Sequence, residues 1–337
     1  MRALIIRKPG VASIETVAEP KLDPGEVLLR VRMVGLCGTD LNSYRGRNSM
    51  VQFPRIPGHE IAATIVEGNC TLPGLANGVN VTVSPYTNCG KCAACLRGRP
   101  NACAFNETLG VQRDGALTEY ITVAPERLYT APLTIKELCL VEPLTVGFHA
   151  VSRGRVTSAD KVAVFGCGGV GLGAIVAAHF AGATVIAIDV EDAKLQIAKK
   201  SGATHLVNSA KVPLHRQLLE FTDGNGPDVI IEAAGNPDTF RAAVEEVAFT
   251  GRVVYIGYAK EPVVYETRLF VQKELDILGS RNALPADFRK VIEMLQQGEF
   301  PVQEAVDSIV SLDEAPGILE TWSANPSKLT KIMVQLD

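Results

Sequence analysis

Four cysteines lie close together in one short polar segment of the chain. Cys89, Cys92, Cys95 and Cys103 form the pattern C-x₂-C-x₂-C-x₇-C. Thiolates at this spacing can converge on one ion, and four of them complete the closed tetrahedral coordination of a structural zinc. An iron–sulfur run is the alternative, but its fourth cysteine usually follows after three residues and precedes proline. Here the gap is seven residues and Ala104 follows, so the pattern predicts zinc.

A second motif, at residues 166–171, has the sequence Gly-Cys-Gly-Gly-Val-Gly and matches the G-x-G-x-x-G fingerprint. It follows a predicted strand and opens a predicted helix, which is the context that a dinucleotide-binding loop needs. The glycines permit a tight turn, close approach of a pyrophosphate and close helix–strand packing. The residues predicted to bind the cofactor are Gly166, Gly168, Gly169, Val170, Gly171 and Asp189.

Asp189 ends the next predicted strand and is expected to accept hydrogen bonds from the adenosine ribose. Its charge would repel a 2′-phosphate, and Val190 offers no compensating cation. The sequence therefore predicts NAD as the cofactor rather than NADP. The alternative is a tight turn of some other α/β fold, with Asp189 as a helix cap.

Other residues that could do chemistry are scattered. Cys37 lies in Gly-Leu-Cys-Gly-Thr-Asp, His59 and Glu60 lie in Pro-Gly-His-Glu, and Glu142 lies in Leu-Val-Glu-Pro-Leu. Taken singly, each has an ordinary explanation: a buried thiol, a hydrogen-bonded loop histidine, a solvated carboxylate. Their spacing alone does not decide between these explanations and metal ligation.

The elements that must position these residues fall into two groups. Short β-branched runs broken by Gly and Pro fill the first 130 residues and predict an all-β domain, such as a small, partly closed barrel. From about residue 150, strands alternate with helices, which predicts a parallel sheet. Six such strands are expected, between Lys161 and Gly279, followed by a helix over Phe288–Gln297 and a final strand over Lys331–Leu336.

The overall composition of the chain limits the classes of protein to which it can belong. The chain has 337 residues, 47% of them hydrophobic, and a net charge of −4, which argues against a nucleic-acid surface. The uncharged stretch from Val170 to Ile188 is interpreted as a small-residue helix and a buried strand, not as a membrane span. No signal peptide is evident, and the clustered thiols favour metal ligands over disulfides, so we expect a cytoplasmic protein.

Taken together, these motifs resemble the zinc-containing medium-chain alcohol and polyol dehydrogenases over essentially the whole chain. The matching features include Asp114-Gly115 before Glu119-Tyr120, and all of them occur in the family's order. The resemblance implies an α/β two-domain fold, with a GroES-like β-barrel catalytic domain and a Rossmann doubly wound parallel sheet. It implies a catalytic domain over 1–147 completed by 286–337, a Rossmann domain over 148–285, and a zinc in the cleft between them.

The segment from Glu142 to Gly147 resembles the sorbitol dehydrogenase branch, which has a glutamate where the classical alcohol dehydrogenases have a cysteine ligand. By this resemblance Cys37 and His59 bind a catalytic zinc, and Glu60 and Glu142 lie at the metal directly or through water. The expected cofactors are therefore NAD and two zinc ions per chain.

Thr39 matches the hydroxyl that hydrogen-bonds the substrate oxygen, so the proton of the alcohol is expected to leave through it. One residue departs from the family pattern: Asn42 replaces a histidine that relays this proton toward solvent in many relatives.

Arg281 and Asn282 follow the sixth strand, at the edge of the sheet where ligands bind. An Arg there could hold a carboxylate, which favours a sugar acid such as a hexonate, whereas a role for Arg281 in ordering Glu142 would favour a neutral polyol equally well. A threonine 3-dehydrogenase, a small-alcohol dehydrogenase and a non-catalytic nicotinamide-binding sensor could share the same architecture. The family is usually dimeric or tetrameric, and we expect a homo-oligomer that pairs at an exposed strand near Arg252–Tyr258.

Overall fold

The computed structural model describes residues 1–68, 72–326 and 329–336, and the chain folds into two compact units. Unit 1 contains Met1–Glu142 and Ala305–Asp337, and unit 2 contains Pro143–Glu304. Unit 1 is therefore built from both ends of the chain. Cys70 lies outside the described residues.

Strands and helices of the described residues are numbered along the chain. The strands are β1 (Arg2–Lys8), β2 (Val11–Thr16), β3 (Val27–Leu36), β4 (Glu60–Glu67), β5 (Asn80–Val83), β6 (Tyr120–Val123), β7 (Leu128–Tyr129), β8 (Lys161–Phe165), β9 (Thr184–Asp189), β10 (His205–Asn208), β11 (Val229–Glu232), β12 (Arg252–Tyr255), β13 (Asp276–Gly279), β14 (Ser308–Ser311) and β15 (Ile332–Gln335). The helices are α1 (Gly38–Tyr44), α2 (Ala93–Leu96), α3 (Ile135–Arg153), α4 (Gly169–Phe180), α5 (Asp192–Lys200), α6 (Leu214–Phe221), α7 (Pro237–Glu246), α8 (Arg268–Gln272), α9 (Pro285–Gln296), α10 (Val302–Ala305) and α11 (Ala315–Ala324).

Unit 1 is organised around a seven-stranded sheet in the order β14-β15-β3-β4-β5-β7, with β6 paired to β3 as a branch. Most of its pairs are antiparallel, and β3 alternates buried and half-buried residues along its first half, as a sheet with one face in the core requires. One hydrophobic core joins side chains from the two ends of the chain, such as Leu4, Ile61, Trp322 and Val334. The short β-branched runs of the sequence thus form the predicted all-β domain.

Unit 2 contains a six-stranded parallel sheet in the order β10-β9-β8-β11-β12-β13. Counted from β8, this is the strand order 3-2-1-4-5-6 of a doubly wound dinucleotide-binding fold. The central strands β8 and β11 are buried and rich in Val and Ile, because helices cover both faces of a parallel sheet. The six strands predicted from the sequence are confirmed.

Close packing in unit 2 depends on glycines at two helix contacts. A Cβ on Gly171 would lie 1.8 Å from the carbonyl oxygen of Gly166, so α4 can begin directly against the end of β8 only with glycine there. A Cβ on Gly147 would lie 2.1 Å from the backbone nitrogen of Ala174, so α3 and α4 touch backbone to backbone. Gly166 has a φ of +94°, which a residue with a side chain rarely adopts.

The two units divide at different residues from those that the sequence suggested. The first division falls inside α3, between Glu142 and Pro143, rather than after residue 147. The second falls at Glu304 rather than at residue 285, so α9 packs within unit 2. A buried contact explains the latter difference, since His149 Nδ1 of α3 lies 2.9 Å from Asp287 Oδ2 of α9. The final strand does pack away from the parallel sheet, as β15 in the sheet of unit 1.

The parallel sheet has two edge strands, β10 and β13, and the strand at Arg252–Tyr255 is neither of them. The expectation for that strand is wrong, because β12 pairs with β11 on one side and β13 on the other. Ile277 of β13 is 40% exposed at this edge. Among the helices of the described residues, none has the length and apolar character needed to cross a membrane.

Candidate metal centres and nucleotide site

Sulfur atoms of the four clustered cysteines lie within 4.8 Å of one another. Cys92 precedes α2 and Cys95 lies within it, which brings their Sγ atoms to 3.5 Å. Backbone amides point at the sulfurs, including Cys92 N–H to Cys89 Sγ at 3.3 Å and Phe105 N–H to Cys103 Sγ at 3.3 Å. Such amides favour thiolates, the form that binds metal.

The pKa values of Cys89 and Cys92 are lowered, whereas burial raises that of Cys95 to about 11. The backbone hydrogen bond from Cys95, followed by that from Ala104, lowers the pKa of Cys92 to about 6. Four sulfurs that bind one ion complete its tetrahedral coordination and leave no position for substrate, so the donor set fits a closed zinc site.

A second cluster brings together Cys37, His59 and Glu60, whose ligand atoms also lie within 4.8 Å of one another. Cys37 follows the end of β3, His59 precedes β4, and Glu60 is the first residue of β4. The antiparallel pairing of the two strands sets Glu60 opposite Gly35, so residues far apart in sequence meet at one end of the sheet. The sulfur, nitrogen and oxygen donors are those found in open catalytic zinc sites.

Asp40 fixes the two segments that carry these donors. Its side chain is fully buried, and its carboxylate accepts hydrogen bonds from Cys37 N–H at 2.8 Å and Gly58 N–H at 3.1 Å. Its Oδ1 also lies 3.9 Å from His59 Nδ1. This distance is too long for a hydrogen bond, and His59 Nδ1 is buried without a hydrogen-bond partner, so Asp40 acts on the ring through its charge.

The surroundings of His59 favour positive charge. Burial lowers the pKa of His59, but Asp40 and then Cys37 outweigh it, and the net result is a pKa well above its usual value. A buried site that draws a proton onto a histidine would be neutralised equally well by a divalent cation. The residues present therefore fit a bound zinc.

Glu60 forms a buried ion pair with Lys331, a residue that the sequence predicts only as the start of the last strand. The Lys331 ammonium also donates to the Leu36 carbonyl at 3.4 Å, and both side chains are nearly inaccessible to solvent. Burial disfavours the charged amine, yet Glu60 and then Cys37 raise the pKa of Lys331. A Cβ on Gly35 would lie 1.9 Å from Glu60 Oε2, so this glycine leaves room for the carboxylate.

Glu142, on α3, is 3% exposed and accepts a hydrogen bond from the hydroxyl of Tyr86. Burial raises the pKa of Glu142 to about 7, while His59 acts in the opposite direction and Glu60 adds to the rise. The charges of His59 and Glu60 thus act on Glu142, but Glu142 is not one of the three residues whose ligand atoms lie within 4.8 Å of one another. Neither Tyr86 nor Lys331 has a sequence signal that would have identified it, because each acts through a contact between distant segments.

Thr39 and Asn42 lie on α1, directly after Cys37. The thiol of Cys37 donates to Thr39 Oγ1 at 3.6 Å, which puts the hydroxyl next to the cluster. Thr39 and Asn42 are both partly exposed. In unit 2, Arg281 and Asn282 follow the last residue of β13 and are half-buried.

Asp189 holds the glycine-rich loop from the end of β9. Its carboxylate accepts hydrogen bonds from Cys167 N–H at 2.7 Å, Val190 N–H at 2.8 Å and Glu191 N–H at 3.0 Å. A Cβ on Gly168 or Gly169 would meet no atom within 4 Å, so the loop has open space where α4 begins. Helix N–H groups and open backbone are what a pyrophosphate requires, so the residues present fit a dinucleotide.

Two family models match the chain, one on each unit. The alcohol dehydrogenase GroES-like domain matches residues 23–133, and the zinc-binding dehydrogenase model matches residues 169–297. The first match confirms the predicted class of the catalytic domain, and the second confirms that of the nucleotide domain.

Several curated proteins are similar to this chain over nearly its whole length. The sorbitol dehydrogenase of Bacillus subtilis is 33% identical over 99% of this chain and 97% of its own. The L-galactonate-5-dehydrogenase of Escherichia coli is 31% identical over 89% of this chain and 88% of its own. An L-threonine 3-dehydrogenase of Bacillus licheniformis is 32% identical over 93% of each chain.

Solved structures share the fold. An Escherichia coli alcohol dehydrogenase complexed with NADH superposes with a TM-score of 0.91 at 29% identity, over 100% of this chain and 99% of its own. A zinc-binding dehydrogenase of Sinorhizobium meliloti bound to NADP gives a TM-score of 0.91 at 28% identity, over 99% of each chain. Both nicotinamide cofactors thus occur among the structural neighbours.

Proposed function

Because this chain belongs to the zinc-containing medium-chain alcohol and polyol dehydrogenases, we propose that it oxidises a secondary alcohol of a sugar acid, such as a hexonate, with NAD. The observation that carries the proposal is the cluster of Cys37, His59 and Glu60, whose ligand atoms lie within 4.8 Å of one another. This donor set suits a metal-dependent dehydrogenase better than a sensor, which would need no open metal site.

Each side chain of the site has a separate role in the proposed reaction. Bound zinc supplies Lewis acidity that lowers the pKa of a substrate hydroxyl, and bound NAD supplies the hydride acceptor. Cys37 and His59 would hold the metal, and Asp40 would fix the two segments that carry them through its hydrogen bonds to the Cys37 and Gly58 amides. Glu142 lies at the metal directly or through water, with its position fixed by Tyr86.

Glu60, already paired with Lys331, would meet the metal directly or through water. The Thr39 hydroxyl accepts the proton of the alcohol at Oγ1. Asn42 cannot relay that proton as a histidine does, because an amide does not titrate near neutral pH. The proton therefore passes from Thr39 to water at the partly exposed side of α1.

The preference for a sugar acid depends on Arg281, with Asn282 beside it. Both follow β13 at the carboxyl edge of the parallel sheet, the edge at which β8 leads into the glycine-rich loop. A guanidinium can bind a carboxylate with two parallel hydrogen bonds, which an ammonium cannot copy. Similarity to the L-galactonate-5-dehydrogenase supports this choice, and similarity to the sorbitol dehydrogenase supports the neutral alternative.

The test is a substrate panel read by NADH absorbance. It compares L-galactonate and L-gulonate with sorbitol and galactitol, and adds L-threonine and 2,3-butanediol. We expect kcat/KM for a hexonate to exceed that for the matching hexitol by about tenfold or more, the effect of one charge-assisted interaction. Equal turnover of hexitols would contradict the sugar-acid proposal, and fastest turnover of L-threonine would assign the amino-acid alternative.

A matched pair of variants isolates the guanidinium. Arg281→Lys should raise KM for hexonates and leave hexitols unchanged. Arg155→Lys is the control. It changes an exposed arginine that pairs with Asp276 of β13, the strand that Arg281 follows, and it should change KM for neither hexonates nor hexitols. If Arg281→Lys retains the wild-type KM for hexonates, no carboxylate clamp exists at this position.

We also propose a homo-oligomer, with β13 rather than β12 as the strand that pairs between copies. An edge strand with unpaired backbone groups and an exposed Ile277 is a template for such pairing. Sedimentation velocity of the wild type and of Ile277→Lys tests this, and a monomeric wild type would contradict it. The cytoplasmic location stays a prediction from the cysteine pattern.

A further inference from the structure

A cavity of about 510 Å³ lies in unit 1, and none of the proposed zinc or cofactor ligands lines it. Most of its wall is aliphatic, with Ile5, Val17, Ile56 and Ile121 among the lining residues. Its volume falls in the range of small-molecule sites, which are typically mostly apolar with a few polar groups.

Two arginines line the same cavity and are incompletely satisfied. Arg55 donates from Nη1 to Asp114 Oδ1 at 2.9 Å, and its side chain is 13% exposed. The Nε atoms of both Arg55 and Arg113 are buried without a hydrogen-bond partner. Because these Nε atoms have almost no accessible surface, a bound group can reach the two guanidinium groups only at their terminal Nη atoms.

Arg113 also lacks a counter-ion. Among the described residues, no carboxylate oxygen lies within 4.0 Å of its guanidinium, whereas Asp114 neutralises Arg55. Burial, and then the neighbouring Arg127, lowers the pKa of Arg113. The carboxylates of Glu107 and Glu26 act on Arg113 only from a distance, so the cavity holds one half-buried positive charge without a close counter-ion beside aliphatic walls.

We propose that this cavity is a binding site for a small amphipathic carboxylate, an anion with a medium-length aliphatic chain. Its carboxylate accepts hydrogen bonds from the terminal Nη groups of Arg113. Its chain lies against the isoleucines and Val17. A planar guanidinium matches a carboxylate in geometry and charge, and aliphatic walls select against a small hydrophilic anion such as acetate.

The probe is octanoate, titrated into the zinc-loaded full-length protein by calorimetry, with octan-1-ol and butyrate as matched ligands. A carboxylate also binds catalytic zinc, so the position of binding needs a separate readout. Selective ¹³C-methyl labelling of methionine supplies it, because Met1 lines the cavity and Met294 lies buried in unit 2. We expect octanoate to shift the Met1 methyl resonance and to leave that of Met294 in place.

Three variants test the assignment. Arg113→Gln should weaken octanoate binding at Met1 by about tenfold or more, the effect of losing a charge-assisted pair. Arg127→Gln removes a neighbouring half-buried arginine that does not line the cavity, and it should leave the affinity within a few-fold. Val17→Trp fills the apolar part and should abolish the Met1 shift while Arg113 stays in place.

Several outcomes would overturn the proposal. Equal affinity for octan-1-ol would show that the carboxylate is not recognised, and unchanged binding in Arg113→Gln would show that the guanidinium does not hold it. Binding of octanoate without any Met1 shift would place it at another site. An oligomer that Val17→Trp dissociates would show that a second copy of the chain, not a small anion, covers the cavity.

Discussion

At the scale of single residues, the metal cluster is a balance of buried charges. Asp40, Glu60 and Glu142 are all nearly inaccessible to solvent, and Cys37 adds a thiolate when it binds metal. Lys331 supplies one buried cation against them. Buried anions in excess are expensive unless they are paired or protonated, so the cluster favours a further positive charge, which a proton on His59 or a bound zinc would supply.

Removal of one partner of the Lys331–Glu60 pair should strongly lower the stability of the fold. Lys331→Met leaves Glu60 buried without a partner, and the free energy of unfolding should fall by about 3–5 kcal/mol. Lys331→Arg keeps the charge and should cost less. The double variant Lys331→Met, Glu60→Gln should recover part of the loss. Urea unfolding of the zinc-loaded proteins measures this, and a Lys331→Met variant as stable as the wild type would contradict it.

Glu142 should matter more for turnover than for folding. Glu142→Ala removes the carboxylate that lies with His59 and Glu60, and kcat should fall by about 100-fold or more, as for loss of a group at a metal site. The unfolding midpoint of Glu142→Ala should change little, because the substitution also removes the desolvation cost of a buried carboxylate. Tyr86→Phe, which deletes only the hydrogen bond to Glu142, should have a smaller effect on kcat. Full turnover by Glu142→Ala would show that this carboxylate has no role at the metal.

At the scale of elements, turns and strand ends present the donors. The β3–β4 pairing brings Cys37 next to Glu60, and the β8–α4 turn exposes helix N–H groups for a pyrophosphate. In the cysteine lobe a one-turn helix, α2, brings two sulfurs together. Such a lobe has little apolar core of its own, so its fold depends on the ion that its cysteines bind.

Removal of one sulfur from that lobe should destabilise it without touching the catalytic cluster. Cys95→Ser should lower the zinc content from about two ions per chain to about one and lower the unfolding midpoint. Cys167→Ser, a buried thiol of the glycine-rich loop, should retain both ions. Metal analysis by mass spectrometry and thermal unfolding give the readouts, and two zinc ions in Cys95→Ser would refute a four-cysteine site.

The cofactor preference belongs to the end of β9. Asp189→Ala removes a carboxylate that accepts hydrogen bonds and repels a 2′-phosphate, so the ratio of kcat/KM for NAD over NADP should fall by about tenfold or more. Asp192→Ala changes an exposed acid on the first turn of α5 and should leave the ratio unchanged. A wild-type preference for NADP would show that Asp189 does not select the cofactor.

At the scale of the whole molecule, unit 1 is discontinuous, and its active cluster depends on the C-terminal segment. β15 pairs with β3 so that Ile332 lies opposite Leu36, and this pairing brings Lys331 to Glu60. The segment that carries Lys331 follows the whole of unit 2 in the sequence, so the cation that pairs with Glu60 comes from the far end of the chain. A long-range contact of this kind is costly in chain entropy and is stabilised by the shared core around Trp322 and Val334.

The two zinc ions should differ from each other in lability, because one site is closed by four cysteines and the other is open. The freshly purified protein should contain about two zinc ions per chain. Dialysis against 1,10-phenanthroline should remove one ion together with the activity, while far-UV circular dichroism stays unchanged, and added zinc should restore turnover. A protein that retains full activity with one zinc or none would contradict the assignment of the open site.

Local motifs were sufficient for much of this protein. The four-cysteine spacing, the glycine fingerprint with Asp189 and the alternating elements predicted a closed zinc lobe, a nucleotide loop and a six-stranded parallel sheet. The two loop motifs are short-range features in which residues close in sequence make the contacts, and each element of the sheet is predicted from its own residues. The family resemblance then supplied Cys37, His59 and Glu142 as a set.

Only the tertiary structure decided what surrounds that set. The ion pair of Lys331 with Glu60, the hydrogen bond of Tyr86 to Glu142 and the buried carboxylate of Asp40 behind His59 join segments that sequence periodicity does not connect. The edge of the sheet at β13 and the place of α9 in unit 2 likewise depend on strand order and on one buried contact, His149 with Asp287. Local spacing fixes which donors a segment offers, whereas burial and charge balance arise only when distant segments pack together.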